Sequence, residues 1–393
     1  MNKLHRIFAL LVLITIAAGC GSPAGAPAST DTAPASPVPT VAPTQTAAPT
    51  STPEADSQTA ARIQAALEDW ARQGKLSGAV LVARDGKVLV SQGYGQADQE
   101  RQLANTAETK FHLASVTKMF TAMATMLLQK QGKLGVQDLI CKYIDDCPSA
   151  WGAVTIHHIL THTSGIHEIN DTAGITELAQ HPATPLQLID QFRLLPLDFP
   201  PGEKYSFSNS GYILLGYIIE RVSGRPYAQF MQEDIFDPLG MKNSGYDDTY
   251  LVAPGYALGY KNASDLAYPV GASILYASAG LYSTVGDLLL FDEVLYTEAL
   301  LPGALQAEYF SPYDPIPGST AFAGYGWYYG RQYDQSWMYA SGAGAGFAAI
   351  IHRFPQAHTV IILLSNRQDS DVKGFNALIG PLVFGGEWVS PTK

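Results

Sequence analysis

A serine and a lysine three positions apart, Ser115 and Lys118, are the residues of this chain best suited to chemistry. They lie in the segment Phe-His-Leu-Ala-Ser-Val-Thr-Lys, residues 111–118, which predicts a helix beginning at the serine. Because positions i and i+3 share one face of a helix, the lysine amine can reach the serine hydroxyl. A lysine whose pKa is lowered by burial can take the serine proton, and the helix N-terminus favours the negative charge that develops. The pair therefore predicts a Ser-Lys nucleophile of the kind that replaces a catalytic triad.

Spacing alone does not identify a nucleophile, because Ser370 and Lys373 repeat it near the end of the chain. For this second copy we expect a helix cap followed by a surface lysine on the last helix. The surrounding residues must distinguish the two copies.

Further short motifs follow Ser115 along the chain. They are Thr-His-Thr-Ser-Gly-Ile at 161–166, Pro-Gly-Glu-Lys-Tyr-Ser-Phe-Ser-Asn-Ser-Gly-Tyr at 201–212, Pro-Leu-Gly-Met at 238–241, Ala-Gly-Leu-Tyr-Ser-Thr at 279–284, and Ser-Gly at 341–342 leading to Gly-Phe at 346–347. With Ser-Val-Thr-Lys after an N-terminal β-hairpin, they resemble the serine β-lactamase, D-alanyl-D-alanine carboxypeptidase and penicillin-binding-protein-like esterase family, of the class C β-lactamase type. The resemblance covers nearly all of residues 58–393 in order.

The resemblance implies a role for each matching residue. Ser115 would be the acylated nucleophile and Lys118 its proton acceptor, while Asn209 matches the asparagine of the family's Tyr-x-Asn motif. Ser341 and Gly342 match the family's Lys-Thr-Gly strand motif, and Ala343 follows it. The backbone N–H groups of Ser115 and Ala343 would then form the oxyanion hole, which is commonly the largest catalytic contribution.

Two positions depart from the family pattern. Phe207 stands where the family has the tyrosine that relays protons to the leaving group, and Ala340 stands where it has lysine or histidine. A missing general acid or base costs roughly 100- to 10,000-fold in rate. Tyr205 lies close by but matches a packing aromatic, so we do not expect it to replace the relay. Ala340 weakens the case for substrates that carry a carboxylate and favours an uncharged acyl group.

The elements that position these residues can be read from apolar periodicity and turn residues. Gly78–Arg84 and Lys87–Tyr94 predict a β-hairpin across Asp85-Gly86. Residues 345–353 and 358–365 predict a second hairpin, and residues 371–383 a closing helix.

Helices are predicted for the start and the middle of the folded region. An opening helix is expected to be capped by Asp56 or Ser57, and further helices over 117–131, 157–161 and 212–223. The strands thus come from both ends of the region and the helices from its middle. This order predicts an α/β (α+β) fold: one antiparallel sheet flanked by terminal helices, with a mostly helical subdomain inserted, all within residues 58–393.

The N-terminal region predicts export. Residues 1–19 combine basic residues, a short apolar run and small residues, as in a signal peptide, and Cys20 is expected to receive lipid. Residues 20–57 are rich in Pro, Ala, Ser and Thr and predict a disordered linker. We therefore expect a protein held by a lipid anchor on the outside of a bacterial cell membrane.

Composition excludes several other functions. A net charge of −11 argues against nucleic-acid binding. Outside the cytoplasm Cys141 and Cys147 are expected to form a local disulfide. His157, His158, His162 and His167 are clustered but lack the glutamate of a metalloprotease motif, so we expect no metal, and no motif implies a cofactor.

Two functions follow as alternatives. The first is a monomeric serine hydrolase that forms an acyl-enzyme on Ser115 and acts on small-molecule or peptide acyl substrates: esters, D-amino-acyl amides or cell-wall peptides. The second is a catalytically impaired protein that uses the same cleft to bind a peptide or glycan. Ser115, Lys118 and Asn209 favour the first, whereas Phe207 and Ala340 favour the second.

Overall fold

A computed structural model describes residues 53–246 and 255–385 of the chain. The predicted signal peptide, Cys20 and most of the predicted linker lie outside the described residues. Within these two ranges no helix has the length and apolarity needed to span a membrane.

The largest element of the fold is an eight-stranded antiparallel sheet with the order β2-β1-β13-β12-β11-β10-β9-β8. The strands are β1 (Gly78–Arg84), β2 (Lys87–Tyr94), β3 (Gln96–Asp98), β4 (Leu103–Ala104), β5 (Phe111–His112), β6 (Gly245–Tyr246), β7 (Leu281–Ser283), β8 (Asp314–Pro315), β9 (Phe322–Ala323), β10 (Tyr328–Gln332), β11 (Gln335–Gly344), β12 (Phe347–Phe354) and β13 (Thr359–Ser365). Strand β1 pairs with β13, so the two ends of the folded region share one sheet.

Helices cover both faces of this sheet. They are α1 (Pro53–Arg72), α2 (Thr117–Lys130), α3 (Ile156–Leu160), α4 (Ile175–Leu178), α5 (Pro185–Ile189), α6 (Asn209–Ser223), α7 (Tyr227–Met231), α8 (Asp237–Leu239), α9 (Ala272–Ala279), α10 (Val285–Val294), α11 (Gly303–Tyr309) and α12 (Val372–Val383). The predicted α/β architecture, with strands from both ends and helices from the middle, is confirmed.

The central strands are buried on both faces, and alternate residues of β1, β12 and β13 enter two separate apolar clusters. In the first cluster, Val80 and Ile350 pack with α1 and α12, where Trp70 stacks on Phe375 at a ring separation of 5.9 Å. In the second, Leu81 and other residues pack against α2 and α6. The sheet therefore separates the terminal helices from the inserted helical region.

Several boundaries differ from the sequence prediction. Helix α1 begins at Pro53 and not at an Asp56 or Ser57 cap, since proline is readily accommodated in a first turn. Strand β12 begins at Phe347, because Ala345 and Gly346 have positive φ angles and form the turn from β11. Helix α6 begins at Asn209 and not at residue 212, because Ser208 caps it.

Two further features involve residues singled out from the sequence. The cap of α12 is Asp371, whose side chain accepts from Gly374 N, and not Ser370, whose hydroxyl bonds to Ser365. The structure joins Cys141 and Cys147 in a disulfide that closes a short loop.

A buried ion pair ties helix α10 to strand β12. Arg353 Nε donates to Asp292 Oδ1 at 2.5 Å, and the two side chains are only 2% and 1% exposed. The Arg353 guanidinium also lies over the ring of Tyr296, 4.3 Å from its centroid. The cost of burying these charges is offset only while both partners are present.

Replacing Asp292 with alanine is expected to lower the free energy of unfolding by about 3–5 kcal/mol, because Arg353 would stay buried without a charged partner. The double variant with Asp292→Leu and Arg353→Met should lose much less, because no buried charge remains. Urea unfolding at neutral pH measures both losses. Equal losses in the two variants would contradict this prediction.

Candidate active site

Ser115 lies in a tight 3-10 turn, Ala114–Val116, that connects strand β5 to helix α2. Ala114 is buried and has a φ of +45°, a left-handed conformation that is strained for a residue with a side chain. The turn leaves Ser115 partly exposed, while its neighbours Ala114 and Val116 are buried. The fold thus presents the serine hydroxyl from a fixed backbone.

Lys118 lies one turn later on α2 and is only 3% exposed. Its amine Nζ is 3.0 Å from Ser115 Oγ, 2.8 Å from Asn209 Oδ1 and 2.9 Å from the carbonyl oxygen of Ser278. The last two atoms can only accept hydrogen bonds. In the neutral amine both N–H groups are therefore used by Asn209 and Ser278, and the lone pair faces the serine hydroxyl.

The environment of Lys118 favours this neutral form. Burial lowers the pKa of Lys118 from 10.5 to about 7, and the carboxylate of Glu168 opposes that shift. Near neutral pH the amine can thus exist without its extra proton, as a proton acceptor requires.

Asn209 is held at the start of helix α6. The helix is capped by Ser208, whose hydroxyl accepts from Gly211 N at 3.2 Å. The carboxylate of Glu168 accepts from the Asn209 backbone N at 2.6 Å and from its side-chain Nδ2 at 2.7 Å. These contacts leave Oδ1 of Asn209 to face Lys118.

Strand β11 passes directly beside the serine. A Cβ atom added to Gly342 would lie 2.3 Å from Ser115 N, so only glycine permits this approach. Ser341 lines the cleft beside Ser115, whereas Ala343, two positions later, is exposed. The structure therefore brings together Ser115, Lys118, Asn209 and the β11 segment, although that segment follows Ser115 by more than 200 residues in the sequence.

A cleft that is partly open to solvent lies above Ser115. Its lining residues are Ser115, Lys118, His162, Phe207, Gly324, Gly326, Trp327, Tyr328, Ala340 and Ser341. Lys118 supplies the amine of this lining. The rest of the wall is mostly aromatic or small.

His162 packs inside the cleft wall as a neutral ring. Its Nδ1 accepts from Ser208 N at 3.1 Å, and its ring stacks on Phe207 at 4.9 Å. Burial, with a smaller contribution from the charge of Lys118, lowers the pKa of His162 to about 3. His162 therefore adds no positive charge to the site at neutral pH.

Comparison with known proteins identifies the family. The sequence pattern of the family described as Beta-lactamase matches residues 60–379. The chain belongs to this family. It is 30% identical over 311 residues to PbpX of Bacillus subtilis, whose naming as a penicillin-binding protein is provisional, across 77% of this chain and 74% of PbpX.

Solved structures agree with this assignment. A penicillin-binding protein from Bacillus halodurans is 26% identical, with a TM-score of 0.72 over 81% of this chain and 99% of that chain. The D-amino acid amidase from Ochrobactrum anthropi shares the fold, with 22% identity and a TM-score of 0.71 over 83% of this chain and 98% of that chain. The family expected from the sequence motifs is confirmed, and with it the general class of serine hydrolases.

The two departures from the Beta-lactamase family pattern both lie on the cleft wall. The Phe207 ring covers the Lys118 amine, with Nζ 4.8 Å from the ring centroid. Ala340 is buried and contributes no charge. Tyr205 donates to, or accepts from, the hydroxyl of Tyr328 at 3.2 Å and packs edge-on against His162. The site therefore has an apolar surface at both altered positions.

Other histidines of the clustered segment take separate partners. His157 Nδ1 lies 2.7 Å from the hydroxyl of Tyr325, and His167 Nδ1 lies 2.9 Å from Asp198. In the parts of the chain that the structure describes, no three His, Cys, Asp or Glu side chains are grouped so as to hold a metal.

The structure adds site residues that sequence reasoning missed. Glu168 and Ser278 contact the site only through tertiary packing, and nothing in their spacing from Lys118 signals it. The wall formed by residues 324–328 had a signal, since glycines alternate there with aromatic residues. At Gly326 an added Cβ would lie 2.6 Å from Met119 Cα, which shows how closely this segment crosses α2.

Replacing Lys118 with methionine is expected to stabilise the protein at neutral pH, because the variant no longer pays the cost of desolvating an amine. Between about pH 7 and 10.5 the unfolded wild-type chain binds a proton that the folded chain does not, so wild-type stability rises with pH. From about pH 7.5 to 9.5 the advantage of the variant should therefore shrink by about 3 kcal/mol. Urea unfolding of both proteins at the two pH values tests this, and a difference that does not change with pH would refute it.

Proposed function

We propose that this protein is a serine hydrolase that forms an acyl-enzyme on Ser115. The observation that carries the proposal is the geometry of Lys118, whose two N–H groups are used by fixed acceptors while its third neighbour is Ser115 Oγ at 3.0 Å. An amine held in this way directs its lone pair at the serine hydroxyl. Its lowered pKa keeps it available for that role near neutral pH.

In the acylation step, Ser115 Oγ forms a bond to the acyl carbon as its proton passes to Lys118 Nζ. The tetrahedral intermediate collapses when the bond to the leaving group breaks, and the leaving group takes the proton from Lys118. In deacylation, water gives a proton to Lys118 and its oxygen to the acyl carbon, and Ser115 recovers the proton as the acid departs.

The backbone around Ser115 supports stabilisation of the oxyanion. Gly342 brings strand β11 against Ser115 N, so that the Ser115 and Ala343 amides are our candidates for the oxyanion hole. Donors fixed in the backbone need no reorganisation during the reaction.

The cleft favours substrates without a carboxylate next to the scissile bond. Ala340 supplies no cation, His162 is neutral, and the wall beside them is formed by Phe207, Trp327 and Tyr328. We therefore propose esters or amides with uncharged acyl groups as the favoured substrates, ahead of D-amino-acyl amides and cell-wall peptides.

The second candidate function is peptide or glycan binding by a catalytically impaired protein. It is favoured by the loss of polar groups at Phe207 and Ala340, which leaves the leaving group without the family's proton relay. The two functions differ in whether Ser115 can be acylated.

Acylation of Ser115 separates the two candidates. The purified protein is expected to react covalently with a fluorophosphonate probe, and the Ser115→Ala variant is expected to lose this labelling completely. A fluorescent penicillin, tested in parallel, reports whether β-lactams enter the same cleft. Gel fluorescence and intact mass measure both adducts. If neither probe labels the wild type, the protein is not an active hydrolase and the binding function is the better account.

Replacing Phe207 with tyrosine is expected to accelerate hydrolysis of an alkyl ester by about 10- to 100-fold, because it adds a hydroxyl to the ring beside Lys118 and an alkoxide needs a proton to leave. Phe207→Leu is the matched control, since it changes the same wall without adding a polar group. Initial rates with ethyl butyrate, followed by acid release at constant pH, measure the effect. An unchanged rate in Phe207→Tyr would mean that another group already serves the leaving group.

A further inference from the structure

The contacts of Glu168 point to a role that spacing in the sequence does not reveal. Its carboxylate accepts both the backbone N–H and the side-chain Nδ2 of Asn209, at 2.6 and 2.7 Å. The same carboxylate accepts from the side-chain Nδ2 of Asn170 at 2.8 Å, which fixes Glu168 as the cap of the 3-10 turn Ile169–Asp171. Asn170 thus holds the Glu168 carboxylate, and this carboxylate in turn holds Asn209.

The orientation of the Asn209 amide decides what Lys118 faces. An amide group offers an acceptor at Oδ1 and two donors at Nδ2, and it can be turned by a half rotation. A carboxylate only accepts, so Glu168 stabilises the orientation in which Nδ2 points to it and Oδ1 points to Lys118. In the opposite orientation, Nδ2 would meet the lysine amine and the lone pair of Lys118 would no longer be reserved for Ser115.

Glu168 also acts on the charge of Lys118. The titratable groups that face Lys118 from the surrounding elements are Ser115, Glu168, His162 and Tyr212, whose ring centroid lies 5.5 Å from Nζ. Burial keeps His162 neutral by lowering its pKa and keeps Tyr212 neutral by raising its pKa. The charge that opposes the desolvation of Lys118 therefore comes from Glu168.

We propose that Glu168 is a positioning residue for the Ser115–Lys118 pair: it fixes the Asn209 amide so that its oxygen faces the lysine amine. Its negative charge also favours the protonated form of that amine. This inference rests on the proposed hydrolase function. It assigns to Glu168 no contact with substrate, and its effect passes entirely through Asn209 and Lys118.

The test compares Glu168→Gln with wild type and with Asp171→Asn, which removes one carboxylate from an exposed position in the same turn. Acylation by a fluorophosphonate probe is followed as a function of pH. In Glu168→Gln the maximal rate is expected to fall about tenfold or more, because one of the two oxygens that accept from Asn209 is replaced by an NH2 group, which can only donate. The acidic limb of the profile is expected to move to lower pH, by roughly half a unit or more, because the lysine loses a stabilising negative charge. Asp171→Asn should match wild type in both respects.

A second readout does not depend on turnover. NMR of protein labelled with 13C at the lysine ε-carbon follows the titration of Lys118, whose signal is assigned by its loss in Lys118→Arg. The Lys118 titration should shift to lower pH in Glu168→Gln. An unmoved titration, or a rate that falls equally at all pH values with the acidic limb in place, would overturn the positioning role.

The outcomes keep this proposal separate from the proposed function. If the wild type is not labelled at any pH, the hydrolase function fails, and the NMR titration alone decides the role of Glu168. If Glu168→Gln does not fold, Glu168→Asp replaces it: this variant keeps the charge but shortens the reach, so the acidic limb should stay in place while the maximal rate falls. Wild-type rates in Glu168→Asp would overturn the proposal.

Discussion

The site depends on the burial of one amine. A lysine side chain that is removed from water favours its neutral form, and Lys118 is stable there only because two acceptors, Asn209 Oδ1 and the Ser278 carbonyl, receive its N–H groups. The same two contacts direct its lone pair to Ser115. Burial and orientation are therefore needed together. Without burial the Lys118 amine would stay protonated, and without the two acceptors its lone pair would not point to Ser115.

The surrounding fold supplies those acceptors by bringing helices α6 and α9 close together against α2. At Gly216 of α6 an added Cβ would lie 2.4 Å from the Ala277 side chain of α9. The two helices can therefore approach this closely only because residue 216 is glycine. Helix α9 is kinked at Tyr276, which has a φ of +42°. Beyond the kink, the carbonyls of Ala277 and Ser278 accept from Thr121 and Lys118 of α2. The strained backbone of Tyr276 thus turns two carbonyl acceptors toward helix α2.

Local signals predicted much of this arrangement, and tertiary contacts account for the rest. The first hairpin was predicted from Asp85-Gly86, and in the structure both residues have positive φ angles and join Arg84 to its partner Lys87. Asn209 could be predicted because it lies within a short sequence motif. Glu168 could not be found in the same way: it is 41 residues from Asn209, and its two hydrogen bonds exist only after α6 docks beside the turn that carries it. The start of α1 was misplaced because a proline in the first turn of a helix resembles the end of a proline-rich linker.

The apolar groups at 207 and 340 affect the lysine as much as the substrate. A cation at position 340 would lie in the same cleft as Lys118 and would disfavour its ammonium form by repulsion, so alanine leaves burial as the main cause of the lowered pKa. The face of the Phe207 ring, 4.8 Å from Nζ, favours the ammonium form, as does the Glu168 carboxylate. Burial and the Glu168 charge therefore act in opposite directions on the pKa of Lys118, and burial, the larger effect, lowers it to about 7. A base with that pKa can take a proton from serine and return it to a leaving group at neutral pH, which matters most in a site whose wall has a phenylalanine and an alanine at positions 207 and 340.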